Sequence, residues 1–68
     1  MTFGERLRIV RKNKNISLDK LALELETTKA TLSRYENNLV KPNIDFIDRI
    51  ATFFDVSSDY LLGKMFSY

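Results

Sequence analysis

An all-α fold of five short helices is what this sequence predicts, and three observations predict it. Apolar residues recur at three- and four-residue spacing in successive segments, and no stretch alternates as a strand would. Thr, Ser or Asn, the residues that cap helix N-termini, stands before each segment. Between the segments lie Asn-rich turns, one proline and a late glycine, all of which break helices.

Helix 1 begins at Thr2-Phe3-Gly4-Glu5, which fits a capping box: the Thr2 hydroxyl accepts from a free amide, and Glu5 reaches back to the cap. Phe3, Leu7 and Val10 follow at helical spacing, with Arg11 beside them, to about Asn13. Asn13-Lys14-Asn15 is polar and turn-prone. Ser17 caps helix 2, with Asp19 favourable in its first turn and Leu21, Ala22 and Leu25 inward. Glu26-Thr27-Thr28 forms a tight turn, Thr28 caps helix 3, and Leu32 and Tyr35 anchor that helix to the core. Asn37 and Asn38 tolerate left-handed backbone and end it.

Lys41-Pro42-Asn43 breaks the chain again, because proline disfavours helix in the residue before it. Asn43 caps helix 4, whose Ile44, Ile47, Ile50, Ala51 and Phe54 give an apolar stripe, closed by Asp55. Ser57 caps a last short helix through Leu62, and Gly63 terminates it. Residues 1–63 read as one domain and 64–68 as an apolar tail.

With 68 residues there is no space for a second core or a deep substrate cleft. Cysteine and histidine are absent, so disulfide staples and the usual zinc ligands are excluded, and no cofactor is expected. Ser and Asp fall at caps and on the surface, with no Gly-rich loop, which argues against an enzyme. No apolar run approaches the ~20 residues of a membrane span, and no signal-peptide pattern opens the chain. The expected location is cytoplasmic. A core this small rarely supplies more than about 3–5 kcal/mol, so association with a second copy is expected.

Charge is uneven. Residues 1–15 carry five cations (Arg6, Arg8, Arg11, Lys12 and Lys14) against Glu5, while the remainder balances at −2. That is either a solvated helix face or a positive field toward an anionic partner.

Residues 17–38 read as two short helices joined by a tight turn, the second with a small, polar and basic outer row. This is a helix-turn-helix layout, suited to laying one helix in the major groove of DNA. Several short motifs surround it in order. They are Phe3-Gly4-Glu5-Arg6-Leu7-Arg8, Ser17 with Leu21-Ala22, and Thr31-Leu32-Ser33-Arg34-Tyr35-Glu36-Asn37. Pro42-Asn43, Ile50-Ala51 with Phe53-Phe54, and Asp59-Tyr60-Leu61-Leu62-Gly63 follow.

The ordered set resembles the phage repressor/Cro-like, or XRE, helix-turn-helix family over residues 3–63. The resemblance implies a lambda-repressor-like five-helix fold, double-stranded DNA binding without catalysis, and a homodimer on a palindromic operator. Three positions depart from the family pattern. Leu18 stands where glutamine usually binds the DNA backbone, and Glu26 stands where the turn often has glycine. Lys20 replaces the acidic residue that completes the helix 2 capping box.

Counted from the Thr28 cap, Lys29, Ala30, Ser33 and Arg34 are the base-reading candidates. Arg34 suits guanine O6 and N7, Lys29 a guanine or a phosphate, and Ala30 a thymine methyl. Ser17, Thr28, Thr31, Asn37, Lys41 and Asn43 lie at family positions that bind phosphate, with capping the safer role for Ser17 and Asn43. The resemblance also implies a structural pair between Arg11 and Glu36.

Tyr60, Leu62, Met65, Phe66 and Tyr68 make an apolar segment, read as a homodimer seam or as a flap folded back on the core. The leading functional expectation is a dimeric transcriptional regulator, most simply a repressor. The alternative is a protein-interaction module such as an antitoxin. Neither a membrane nor a small-molecule ligand is implied.

Overall fold

A computed structural model describes residues 1–64, and Met65, Phe66 and Tyr68 lie outside the described residues. Five helices follow one another: α1 (Phe3–Asn13), α2 (Leu18–Glu24), α3 (Lys29–Glu36), α4 (Ile44–Phe54) and α5 (Ser58–Leu61). The five-helix, all-α reading is correct.

Each helix starts at the residue whose chemistry announces it. Oxygens of Thr2, Ser17, Thr28, Asn43 and Ser57 accept from the amides of Glu5, Lys20, Thr31, Phe46 and Tyr60, over 2.8–3.2 Å. Such caps are typically worth ~1 kcal/mol each. At α1 the box is reciprocal, with Glu5 Oε1 accepting from Thr2 N at 2.8 Å. At α2 Lys20 cannot reciprocate, so that cap is one-sided; its ammonium pairs instead with Glu24 at 3.2 Å.

The helices also share one way of stopping. A left-handed residue follows each, namely Asn15, Glu26, Asn38, Asp55 and Gly63. The next amide then reaches back to a carbonyl five residues earlier, as in Thr27 N to Ala22 O at 2.9 Å and Leu39 N to Arg34 O at 2.9 Å. Of the two asparagines expected to turn the chain, only Asn38 is left-handed; Asn37 keeps φ −94° as the last cap residue of α3.

Leu7, Leu21, Leu32, Ile50 and Leu61, one from each helix, are fully buried and form the centre of the core. The α4 stripe holds for Ile47, Ile50, Ala51 and Phe54 but not for Ile44, which is 60% exposed. Ile44 is the first residue of α4, where the stripe has run past the edge of the core. Phe46 takes a place that periodicity alone did not assign, half-buried with its ring 5.7 Å from that of Tyr35.

Candidate nucleic-acid interface

α3 is fastened to the body at its C-terminal end. Glu36 is 3% exposed, and its carboxylate accepts from Arg11 Nε at 2.6 Å and Arg11 Nη2 at 3.3 Å. Arg11 Nη1 also donates to Ile16 O at 2.9 Å, so one guanidinium ties α1, α3 and the first turn together. Arg8, one turn before Arg11, adds a further bond to Glu36 Oε1 at 3.2 Å. Sequence reading passed over Arg8, although its three-residue spacing from Arg11 put both on one face of α1.

α1 can lie this close to α3 because residue 4 has no side chain. A Cβ on Gly4 would sit 2.3 Å from Glu36 O and 2.6 Å from Tyr35 O. Asn38 closes the same corner: its Oδ1 accepts from Gly4 N at 3.0 Å, and its Nδ2 donates to Thr2 Oγ1 at 2.8 Å. It thereby satisfies one of the free amides at the start of α1. Its residue type marked a turn, but nothing local pointed to this clamp.

The other end of α3 is set by the turn from α2. Glu26 takes φ 57°, so the left-handed backbone persists there without glycine. Arg49 of α4 supports the turn by donating to Leu25 O at 2.6 Å, with its guanidinium 5.2 Å from the Phe46 ring centroid. A carbonyl left free at the end of α2 is thus satisfied from another helix.

The outer face of α3 stays open. Lys29, Ala30 and Arg34 are exposed, and the Arg34 side chain has no hydrogen bond or ion pair among the described residues. Lys29 Nζ lies 3.8 Å from Asp19 Oδ2. Ser33 is half-buried, its oxygens accepting from Asn37 Nδ2, and Asn37 Oδ1 accepts from Arg8 Nη2 at 3.3 Å. The Asn37 amide is therefore engaged at both ends.

Thr28 Oγ1 donates to Thr31 Oγ1 at 2.9 Å at the N-terminus of α3, while Ser17 and Asn43 serve as caps. Lys41 is exposed in the loop before α4. Leu18 packs against the core, so no side-chain donor projects from the place where the family has glutamine. The face can therefore offer donors and cations to an anionic surface, with Arg34 the least committed of them. No cluster of His, Cys, Asp or Glu suited to a metal occurs among the described residues.

The expected dimer residues divide. Tyr60 is 4% exposed and lies in the chain's own core with the Arg6 guanidinium 5.2 Å from its ring centroid, which corrects its assignment to a partner surface. Burial of its large ring within one chain leaves little to share with a second. Leu62 packs partly on the core and is partly accessible, while the remaining three positions lie outside the described residues.

Comparison with known proteins places these features. A family model described as "Helix-turn-helix" matches residues 7–61. The transcriptional activator BcrR of Enterococcus faecalis is 34% identical over 63 residues, covering 93% of this chain and 31% of BcrR. Among solved structures, P22 c2 repressor in complex with a synthetic operator superposes with TM-score 0.88 at 26% identity, over 96% of this chain and 98% of that one. The biofilm regulator SinR in complex with DNA gives TM-score 0.81 at 36% identity, over 88% of this chain and 97% of that one. The chain spans between 31% and 56% of the curated relatives it matches.

Proposed function

The chain belongs to the helix-turn-helix family of phage repressor/Cro-like (XRE) type, and on that premise we propose a sequence-specific, DNA-binding transcriptional regulator acting as a homodimer on an operator with dyad symmetry. One observation carries this reading. α3 is pinned at its C-terminal end through Glu36, while its outer face presents Arg34 uncommitted and Lys29 and Ala30 exposed. A rigid helix with an open basic face is what reading base edges requires.

Arg34 donates two parallel bonds to guanine O6 and N7, Lys29 donates to a neighbouring base, and Ala30 meets a thymine methyl. Ser33 lets the helix approach closely. Ser17, Thr28, Thr31, Asn37, Lys41 and Asn43 surround α3 and fix its register through phosphates. Arg11 and Glu36 act on the helix position and not on the DNA. P22 c2 repressor and SinR, both crystallised with DNA, support this arrangement.

Regulation is by occupancy, most simply repression from a cytoplasmic location. Among the described residues no helix is long and apolar enough to cross a membrane. The second copy docks through Leu62 and the 65–68 segment, and sedimentation of the full chain against one ending at Gly63 reads this directly.

Selection of bound duplexes from a random pool tests the main claim. Inverted repeats with half-site centres about one DNA turn, ~34 Å, apart are the expected product. Weak, salt-sensitive binding with no enriched sequence overturns it.

A further inference from the structure

Asp19 and Lys29 stand in the first turns of α2 and α3, with their charged ends 3.8 Å apart across the intervening turn. The polar side chains beside Asp19 in the first turn of α2 are engaged within α2. Ser17 Oγ accepts from Lys20 N at 3.1 Å, and Lys20 Nζ lies 3.2 Å from Glu24. Leu18 packs against the core. The Asp19 carboxylate is therefore the group by which this turn of α2 reaches the open face of α3. With side chains 75% and 61% exposed, the two form a surface pair that contributes little to folding.

A carboxylate is also the wrong charge to hold near phosphates, since it opposes the sequence-independent attraction that dominates DNA affinity. Its effect falls on Lys29. A lysine ammonium is a point charge on a flexible stem and has no preferred geometry toward a base. Left alone, it settles on a phosphate as readily as on a base edge.

We propose that Asp19 is a specificity-setting positioning residue for Lys29. Its carboxylate holds the Lys29 ammonium at the base-facing end of α3 and makes phosphate approach unfavourable there. Affinity is given up for discrimination at the one base pair that Lys29 reads. This rests on the DNA-binding reading above.

The test uses duplexes enriched from a random pool by the unaltered chain, each base pair varied in turn, at several salt concentrations. Asp19→Asn is expected to bind unrelated duplex more tightly and to steepen the log–log salt slope by about one per bound protomer, so about two for the homodimer. At a single base pair per half-site its preference should fall by roughly two- to fivefold, the range an exposed ion pair supplies. Asp19→Glu restores the preference. Lys29→Ala loses preference at the same base pair, and adding Asp19→Asn to it changes that preference no further.

An Asp19→Asn profile unchanged at every base pair overturns the proposal, as does a change that persists without Lys29. If the unaltered chain enriches no duplex, the DNA-binding reading itself fails and the role of Asp19 falls with it.

Discussion

Arg11 holds the Glu36 carboxylate at 2.6 Å, joining the end of α3 to α1 through a pair in which Glu36 is 3% and the Arg11 side chain 13% exposed. Removing one partner of a buried pair strands the other charge, which typically costs 3–5 kcal/mol. Glu36→Ala should therefore destabilise the chain by about that amount in urea titration. Arg8, with its side chain 43% exposed, shares the same carboxylate, and Arg8→Ala should cost no more than ~1 kcal/mol. A double-mutant cycle between Glu36 and Arg11 with coupling below about 1 kcal/mol would show a solvent-screened pair instead.

Gly4→Ala should destabilise although alanine is the better helix former by about 1 kcal/mol. The added Cβ meets backbone oxygens of Tyr35 and Glu36 at 2.6 and 2.3 Å, and backbone does not rotate out of the way. The expected net loss is about 1–3 kcal/mol, with α1 displaced from α3. Unfolding midpoints measure it, and an unchanged midpoint contradicts the close approach.

Glu26→Gly should have the opposite sign. At φ 57° a side chain costs roughly 1–2 kcal/mol, partly offset by the greater freedom of unfolded glycine. The exposed Arg49 contact at 4.0 Å is a small loss. Stabilisation of up to about 1 kcal/mol is expected, read from the same titrations.

Acid should loosen α1 through Glu5. The Thr2 amide, then the Thr2 hydroxyl, bonds its carboxylate and lowers its pKa below the ordinary value. A group lowered on folding stabilises the fold above its unfolded pKa, and that contribution is lost as pH falls through the folded pKa. Urea midpoints of Glu5→Gln should therefore fall less steeply than those of the unaltered chain below the ordinary carboxylate pKa. Parallel acid limbs for the two proteins would remove Glu5 from the account.

Arg34→Ala should cost about 1–3 kcal/mol at one base position per half-site while leaving the fold intact. Lys41→Ala should weaken binding evenly across sequences and flatten the salt dependence. Binding profiles over single-base variants distinguish the two, and a uniform loss for Arg34→Ala would make it a phosphate contact.

What the sequence by itself determined is the local architecture. Capping residues at Thr2, Ser17, Thr28, Asn43 and Ser57, and apolar stripes at helical spacing, act within one or two turns, so they are legible as spelled. Of the four positions counted on from Thr28, Lys29, Ala30 and Arg34 are exposed and Ser33 is half-buried. The tertiary structure decided contacts between residues far apart in the chain, for which side-chain identity gives only capacity. Arg8 joined Glu36, Asn38 clamped Gly4 and Thr2, and Arg49 reached Leu25 O. It also withdrew Tyr60 into the core and left Ile44 outside, because burial depends on what the other helices cover, and a stripe cannot report where the core ends.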